Sequence, residues 1–126
     1  MKKQSIQTTE APAAIGPYSQ GVAAGDFVFV SGQLPLDPAT GRFPEGIAAQ
    51  TRQSIRNLRE ILLAAGTDLD RVVKTTVFLY DMNDFGAMNA VYQELFGTEN
   101  CPARAAIEVR RLPKDALVEI EAIALR

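Results

Sequence analysis

One arginine and several carboxylates near the C-terminal end of the chain are the side chains best suited by type and spacing to do chemistry. The segments 102–109 and 117–123 each have the pattern of a β-strand, and a short turn at 112–115 joins them. Side chains alternate faces along a strand, so one face of the first strand carries Arg104, Ala106 and Glu108. One face of the second carries Leu117, Glu119, Glu121 and Ile123. A fixed guanidinium can grip a carboxylate at two points, and a carboxylate opposite can move a proton or orient a water; the alternative is an ion-paired face that only supports the fold.

The composition excludes several classes of catalytic site. The chain has 126 residues, no histidine and one cysteine, Cys101. Ser-His-Asp and Cys-His mechanisms and ordinary zinc sites are therefore excluded. The acidic residues show no clustered spacing suited to Mg²⁺ or Ca²⁺, so we predict neither a metal nor a cofactor. Any chemistry must come from Arg, Lys, Glu, Asp, Tyr, Ser, Thr, backbone groups and water.

Charge and hydropathy argue against nucleic-acid and membrane partners. A net charge of −2 and a pI near 5.1 do not provide the basic face that phosphate binding needs. No apolar run is long enough to span a bilayer. A secretory signal has an apolar region after its basic residues, and the lysines of segment 1–5 are not followed by one. The single cysteine fits a reducing compartment. We therefore expect a cytoplasmic protein.

The elements that must position these residues form an α+β pattern. The length suits one domain, 1–126. Short β-branched and aromatic runs predict strands, and apolar residues recurring near a 3.6 period predict helices. The predicted elements, in order, are an edge strand at Ser5–Thr8, strands at 19–24 and 27–30, a helix at 47–65, a strand at 71–80, a helix capped by Asn83 or Asp84 and ending at Gly97, and the two C-terminal strands. This order predicts a mixed β-sheet with both helices packed on one face.

The apolar strand residues predict that another subunit covers the second sheet face. Two helices cannot cover Phe27, Phe29, Val118 and Ile120 together if the opposite face is also apolar. A sheet with two apolar faces commonly buries the second against another copy of the chain. The pattern therefore favours a homo-oligomer and leaves its order open.

Eight segments spread over nearly the whole chain carry a resemblance to known proteins. They are Ala11–Gly21, Val30–Gln33, Val73–Leu79, Asn83–Phe85, Pro102–Arg104, Glu108–Val109, Leu112–Asp115 and Glu119–Ala122. On these segments the chain resembles the Rid/YjgF-like family, the reactive intermediate (enamine/imine) deaminases. The resemblance implies a chorismate-mutase-like fold and a homotrimer with one active site at each subunit interface. It also implies hydrolysis of short-lived enamines and imines, such as 2-aminoacrylate and 2-iminopropanoate, to 2-oxo acids and ammonia.

The same resemblance implies roles for individual residues. Arg104 would grip the substrate carboxylate, and Glu119 would position or activate the attacking water. Tyr18 would lie over the pocket, in a loop bracketed by prolines. Further substrate-binding candidates are Ser31, Gly32, Asn89 and Ala106. Many family members carry a cysteine where this chain has Ala106, which favours a mechanism that needs no thiol.

Each of the main candidates also has a purely structural interpretation. Arg104 could form an ion pair with Glu108 or Glu121, and Glu119 could be a paired carboxylate on a sheet face. Tyr18 could be a loop aromatic packed into a subunit seam.

Other functions compete with the deaminase interpretation. A small carboxylate-binding regulatory protein would keep the arginine clamp without significant turnover. An endoribonuclease, an activity attached to relatives, is disfavoured by the absence of histidine and the acidic charge. A chaperone-like role would need exposed apolar patches. The presence of Tyr18, Arg104 and Glu119 together favours the enzyme.

Overall fold

Two helices pack on one face of a six-stranded mixed sheet in the computed structural model, which describes residues 2–126. The strands are β1 (Lys3–Ile6), β2 (Gly21–Ala24), β3 (Phe27–Gln33), β4 (Val72–Leu79), β5 (Ala103–Glu108) and β6 (Val118–Leu125). The helices are α1 (Ile47–Ala64) and α2 (Phe85–Phe96). The predicted α+β class and the placement of both helices on one face are confirmed. Within residues 2–126, no helix combines the length and apolar character that crossing a membrane requires.

The strand order places β4 between the two C-terminal strands. Across the sheet the order is β1-β2-β3-β6-β4-β5. Strand β5 runs parallel to β4, whereas every other neighbouring pair is antiparallel. A parallel pair needs a long crossover, which α2 supplies between β4 and β5. The two C-terminal strands therefore follow each other in the chain without pairing.

The first strand begins and ends two residues earlier than the predicted Ser5–Thr8. Its last residue, Ile6, pairs with Gly21 of β2. Thr8 cannot join the ladder, because its N–H donates to Gln20 Oε1 at 2.8 Å and its carbonyl accepts from Gln20 Nε2 at 3.0 Å. The buried Gln20 amide thus ends the strand and fixes the loop that follows. The edge position of this strand is as predicted.

The core lies between the helices and one face of the sheet. Along β6, Val118, Ile120, Ala122 and Ala124 alternate with more exposed residues and are buried beneath the helices. As predicted, the two helices do not cover all four of the apolar strand residues considered above, since Val118 and Ile120 are buried but Phe27 and Phe29 are not. A strand residue can face only one layer, and the alternation of β6 turns Val118 and Ile120 inward.

The opposite face of the sheet is open in the single chain and carries apolar side chains. Phe27 and Phe29 of β3 are 41% and 44% exposed. Phe29 pairs with Ile123 of β6, and Ile107 of β5 adds a further exposed aliphatic side chain. We call this surface the open face. An uncovered apolar surface of this kind is typical of an interaction site.

Buried amides on α1 tie the long connection after β3 to the helix. Asn57 Nδ2 donates to the carbonyls of Leu34 and Leu36 at 3.0 and 2.9 Å. Gln50 Nε2 donates to the Pro44 carbonyl at 3.1 Å. Gln50 Oε1 accepts from the Leu117 N–H at 2.9 Å, so the same side chain also holds the start of β6.

Candidate functional site

Arg104 extends from β5 on the face of the sheet that carries the helices. In the register of the sheet, Thr75 of β4 is the partner of both Arg104 and Ala122. Cross-strand partners share a face, and both Thr75 and Ala122 are buried beneath the helices. Because β5 is an edge strand, the Arg104 side chain nevertheless remains exposed.

Three side chains of α2 surround the Arg104 guanidinium. Arg104 Nη1 donates to Asn89 Oδ1 at 2.7 Å. The guanidinium carbon lies 4.7 Å from the ring centroid of Tyr92 and 5.4 Å from that of Phe85. Both distances are within the range of cation–π attraction. The guanidinium is therefore held by one amide and two rings, and its other N–H groups have no hydrogen-bond partner among residues 2–126.

Tyr92 is fixed from below by a residue of the central sheet. Its hydroxyl and Thr75 Oγ1 are 2.7 Å apart in a buried hydrogen bond. Burial raises the pKa of the Tyr92 phenol, against smaller lowering effects of Thr75 and Arg104. The ring therefore stays neutral at physiological pH and does not form an ion pair with the arginine.

Glu119 lies on the open face, half-buried beside β3. Its cross-strand partner on β4 is Phe78. Burial raises the pKa of the Glu119 carboxyl, and the negative charge of Glu121 raises it further. A carboxyl group shifted in this direction is suited to exchanging protons closer to neutral pH than an exposed glutamate.

Gly32 leaves the space that the Glu119 carboxylate occupies. A β-carbon added to Gly32 would lie 2.8 Å from Glu119 Oε2 and 3.0 Å from its carboxyl carbon. A side chain at position 32 would therefore force the Glu119 carboxylate out of its present position. The pairing of β3 with β6 shifts register between Val30 and Gln33, which places Gly32 in an irregular stretch.

Ser31 and the loop that carries Tyr18 adjoin this glycine. Ser31 Oγ donates to the Ser19 carbonyl at 2.6 Å, and Ser31 N–H donates to the Gln20 carbonyl at 2.9 Å. Tyr18 is 53% exposed and lines a cavity of about 690 Å³ formed with the N-terminal segment. The serine hydroxyl thus anchors the loop, and the tyrosine ring remains free of the core.

Six of the seven predicted site residues therefore form two groups. The arginine cluster consists of Arg104, Asn89 and Ala106, the last partly buried against the core. The glutamate cluster consists of Glu119, Gly32 and the adjoining Ser31. Tyr18 belongs to neither group, because its side chain lines the cavity beside the N-terminal segment. Thr75 and Phe78, the β4 partners of Arg104 and Glu119, are three positions apart, so their side chains point to opposite faces. One chain does not bring Arg104 and Glu119 together.

The ion pairs considered for Arg104 do not form. Glu108 Oε1 instead accepts from the Met82 N–H at 2.9 Å, which ties β5 to the segment before α2. Glu121 pairs with Thr76 and so lies on the open face with Glu119.

Sequence reasoning missed the surroundings of the arginine. Phe85 and Tyr92 have the spacing of a core stripe on α2, and only Asn89 between them is polar. Phe85, Asn89 and Tyr92 stand at positions i, i+4 and i+7, which fall on one helix face. An amide between two aromatic residues on that face was the sequence pattern that could have indicated this site. Thr75 carried no sequence signal, because its role depends on which strand neighbours β5. Across residues 2–126, no three His, Cys, Asp or Glu side chains are grouped so that they could hold a metal ion.

Comparisons with known proteins agree over the whole chain. The family described as Endoribonuclease L-PSP matches residues 8–126. A RutC family protein of Pyrococcus horikoshii is 57% identical over 125 residues, which cover 98% of each chain. A protein of Salmonella typhimurium named 2-iminobutanoate/2-iminopropanoate deaminase is 53% identical over 125 residues, again 98% of each chain. The crystal structure of Escherichia coli TdcF with bound serine superposes with a TM-score of 0.93 at 46% identity and covers 98% of each chain.

Proposed function

Because this chain belongs to the Endoribonuclease L-PSP family, the YjgF/Rid proteins, we propose that it is an enamine/imine deaminase. It hydrolyses 2-imino acids such as 2-iminobutanoate and 2-iminopropanoate, and their enamine tautomers, to 2-oxo acids and ammonia. The observation that carries this conclusion is an identity of 52–53% over 98% of the chain to proteins named for that activity. The reaction consumes one water and needs only orientation and proton transfer.

We propose that the site is completed by a second copy of the chain. Arg104 and Glu119 lie on opposite faces, so both can contact one substrate only if the open face of one subunit meets the arginine edge of another. The exposed Phe27, Phe29 and Ile107 supply apolar area for such a contact. A chorismate-mutase-like homotrimer with one site at each interface, as the family resemblance implies, satisfies this requirement.

Within that site, Arg104 binds the substrate carboxylate. A guanidinium has five N–H donors, and among residues 2–126 only Asn89 accepts from it. A planar carboxylate can therefore take two parallel hydrogen bonds, which orient the neighbouring imine carbon. Ala106, two residues further on the same face, leaves more room for the substrate side chain than the cysteine that the family resemblance implies for many members.

Glu119 of the neighbouring subunit moves protons and positions water. The enamine first gains a proton from solvent at carbon, which gives the iminium ion, the protonated form of the imine. Water then adds to the imine carbon, and the resulting aminoalcohol expels ammonia to leave the 2-oxo acid. The raised pKa of Glu119 allows it to accept a proton from the water and return it to the leaving nitrogen. Ser31 and the Gly32 backbone border this carboxylate, and Tyr18 covers the pocket against solvent.

The domain extends over residues 1–126 and works in the cytoplasm without a cofactor. The single cysteine supports the cytoplasmic location, because it fits a reducing compartment. The reaction needs no cofactor in this proposal, because Arg104 and Glu119 supply the groups that bind the substrate and move protons. The ribonuclease activity in the family description is not supported by a chain that has no histidine and a net charge of −2.

A second candidate is a carboxylate-binding protein without significant turnover. The serine in the TdcF crystal structure favours it, because serine carries the carboxylate that Arg104 would grip. In that case the arginine cluster would be used and Glu119 would have no catalytic role.

A coupled assay tests the proposed function. A serine dehydratase generates 2-aminoacrylate in situ, and pyruvate release is followed with and without the protein. We expect the protein to accelerate pyruvate release well beyond the spontaneous rate. Absence of acceleration, together with saturable binding of serine by calorimetry, would instead support the binding protein.

A further inference from the structure

We propose that Tyr92 is a positioning residue that fixes the plane of the Arg104 guanidinium for a substrate carboxylate, with Phe85 as its partner. The inference rests on the proposed function and extends it to two aromatic residues that contact the arginine. It also assigns the edge of the guanidinium that the substrate uses.

The Tyr92 ring is a rigid support. It is 5% exposed and stacks on Phe96, with 4.4 Å between ring centroids. Its hydroxyl is bonded to Thr75 Oγ1 at 2.7 Å, in the middle of β4. Thr75 is also the cross-strand partner of Arg104, so the support and the arginine are fixed to the same point of the sheet.

The ring and the amide constrain different motions of the guanidinium. With its central carbon 4.7 Å from the Tyr92 centroid and 5.4 Å from the Phe85 centroid, the cation cannot tilt freely out of its plane. The hydrogen bond from Nη1 to Asn89 Oδ1 fixes the rotation within that plane. A long, exposed arginine side chain normally loses several rotamers on binding, and these contacts remove that cost in advance.

The same contacts select the edge that faces the substrate. One N–H of Nη1 is used by Asn89, whereas every N–H of Nε and Nη2 is without a partner among residues 2–126. The two N–H groups on the Nε–Nη2 edge are parallel and match the two oxygens of a carboxylate. We therefore assign this edge to the substrate carboxylate.

Kinetics of Tyr92→Leu test the inference. Leucine keeps the site apolar but removes the face on which the cation lies. Because the arginine holds the carboxylate in both substrate and transition state, we expect KM to rise about tenfold with a smaller change in kcat. Tyr92→Phe restores the ring and should recover most of the affinity. Phe85→Leu should raise KM less, since its ring is farther from the cation.

Two controls separate positioning from stability. Val91→Ala creates a small cavity in the same helix, so its melting temperature should fall while KM stays unchanged. In an Arg104→Ala background, Tyr92→Leu should change kcat/KM by less than about twofold, since its effect passes through the arginine. An equal tenfold loss in that background, or a wild-type KM for Tyr92→Leu, would overturn the proposal.

A spectroscopic measurement tests the positioning without the activity. The ring currents of Tyr92 and Phe85 should shift the Arg104 side-chain NMR resonances upfield in the wild type and in Tyr92→Phe. In Tyr92→Leu they should move towards ordinary arginine values. If the wild type fails to accelerate pyruvate release but these shifts occur, the deaminase proposal fails and the positioning stands. Unchanged resonances in Tyr92→Leu would reject the positioning itself.

Discussion

Arg104 and Glu119 lie on opposite faces of one sheet, at positions set by their β4 partners Thr75 and Phe78. The two side chains best suited to the proposed reaction therefore belong to different surfaces of the chain. In the assembly that we propose, each copy supplies an arginine to one neighbour and a glutamate to another. Catalysis would then require assembly.

Mixed assemblies of two inactive variants should recover activity. Arg104→Ala lacks the clamp and Glu119→Gln lacks the proton carrier, but an interface between them can still combine one intact arginine with one intact glutamate. In randomly mixed oligomers of equal parts, about a quarter of the interfaces should be intact. The measurement is pyruvate release after the two variants are unfolded and refolded together. Mixing either variant with the Arg104→Ala/Glu119→Gln double variant should restore nothing, and equal rates in both mixtures would contradict a shared site.

Removal of the arginine alone should reduce efficiency without unfolding the protein. Arg104→Ala loses a charge-assisted clamp of about 3 kcal/mol, which is roughly two orders of magnitude in kcat/KM. Arg56→Ala is a matched control, because Arg56 is an exposed arginine on α1. Steady-state kinetics with the in situ substrate measure both variants. A comparable loss of kcat/KM in both variants would mean that the effect comes from the loss of one positive charge and not from the position of Arg104.

Filling the space at Gly32 should impair catalysis through Glu119. In Gly32→Ala, the new methyl group would lie within about 3 Å of the carboxylate, so the glutamate must move. We expect turnover to fall more than tenfold, roughly the cost of misplacing a catalytic group. Gly86→Ala is the control, since a β-carbon there meets nothing within 4 Å. As a helical position it should gain about 0.5–1 kcal/mol in unfolding free energy and keep its activity.

Replacing Glu119 should lower the turnover and should raise the stability of the protein at high pH but not at low pH. Because the folded-state pKa of Glu119 is raised, the native protein holds this proton more tightly than the unfolded chain. The stability that it contributes is therefore lost as pH rises through the interval between the unfolded and folded pKa values. Glu119→Gln should raise the melting temperature at pH 8 and leave it unchanged at pH 3, while turnover falls by about a hundredfold or more. Calorimetry at the two pH values would refute this if the variant were equally or less stable at pH 8.

A charge on the open face should prevent assembly. Phe29 on β3 and Leu63 on α1 are almost equally exposed, at 44% and 45%, but lie on opposite sides of the molecule. Phe29→Asp should shift the protein to monomers in sedimentation velocity and abolish activity. Leu63→Asp should keep both the assembly and the rate. If Phe29→Asp remained assembled, the interface would lie elsewhere.

Patterns within single elements were predictable from the sequence. The 3.6-residue apolar period and Gly66 located α1 to within one residue of its observed end. Alternation correctly grouped Glu119 with Glu121 on one face of β6. Such patterns concern neighbours along the chain, where geometry is fixed by the backbone.

Relations between elements were not predictable in the same way. Alternation assigns two faces to each strand but does not say which of them faces the helices. The insertion of β4 between β5 and β6 depends on a parallel pairing across α2, a long-range choice with no local signal. For that reason the sequence offered Arg104 and Glu119 as candidates but did not predict that they lie on opposite faces of the sheet. Tyr92 had the pattern of an ordinary core residue.

The buried amides of α1 have a consequence for how the molecule opens. Asn57 and Gln50 bond to carbonyls at 34, 36 and 44 and to the N–H of Leu117, so α1 holds both ends of the connection after β3. In native-state hydrogen exchange, the Leu117 amide should exchange in the same cooperative unit as the helix, despite lying outside regular structure. The glutamate cluster adjoins that connection. Its backbone amides should then exchange as slowly as those of the core, and not as fast as those of a mobile surface loop.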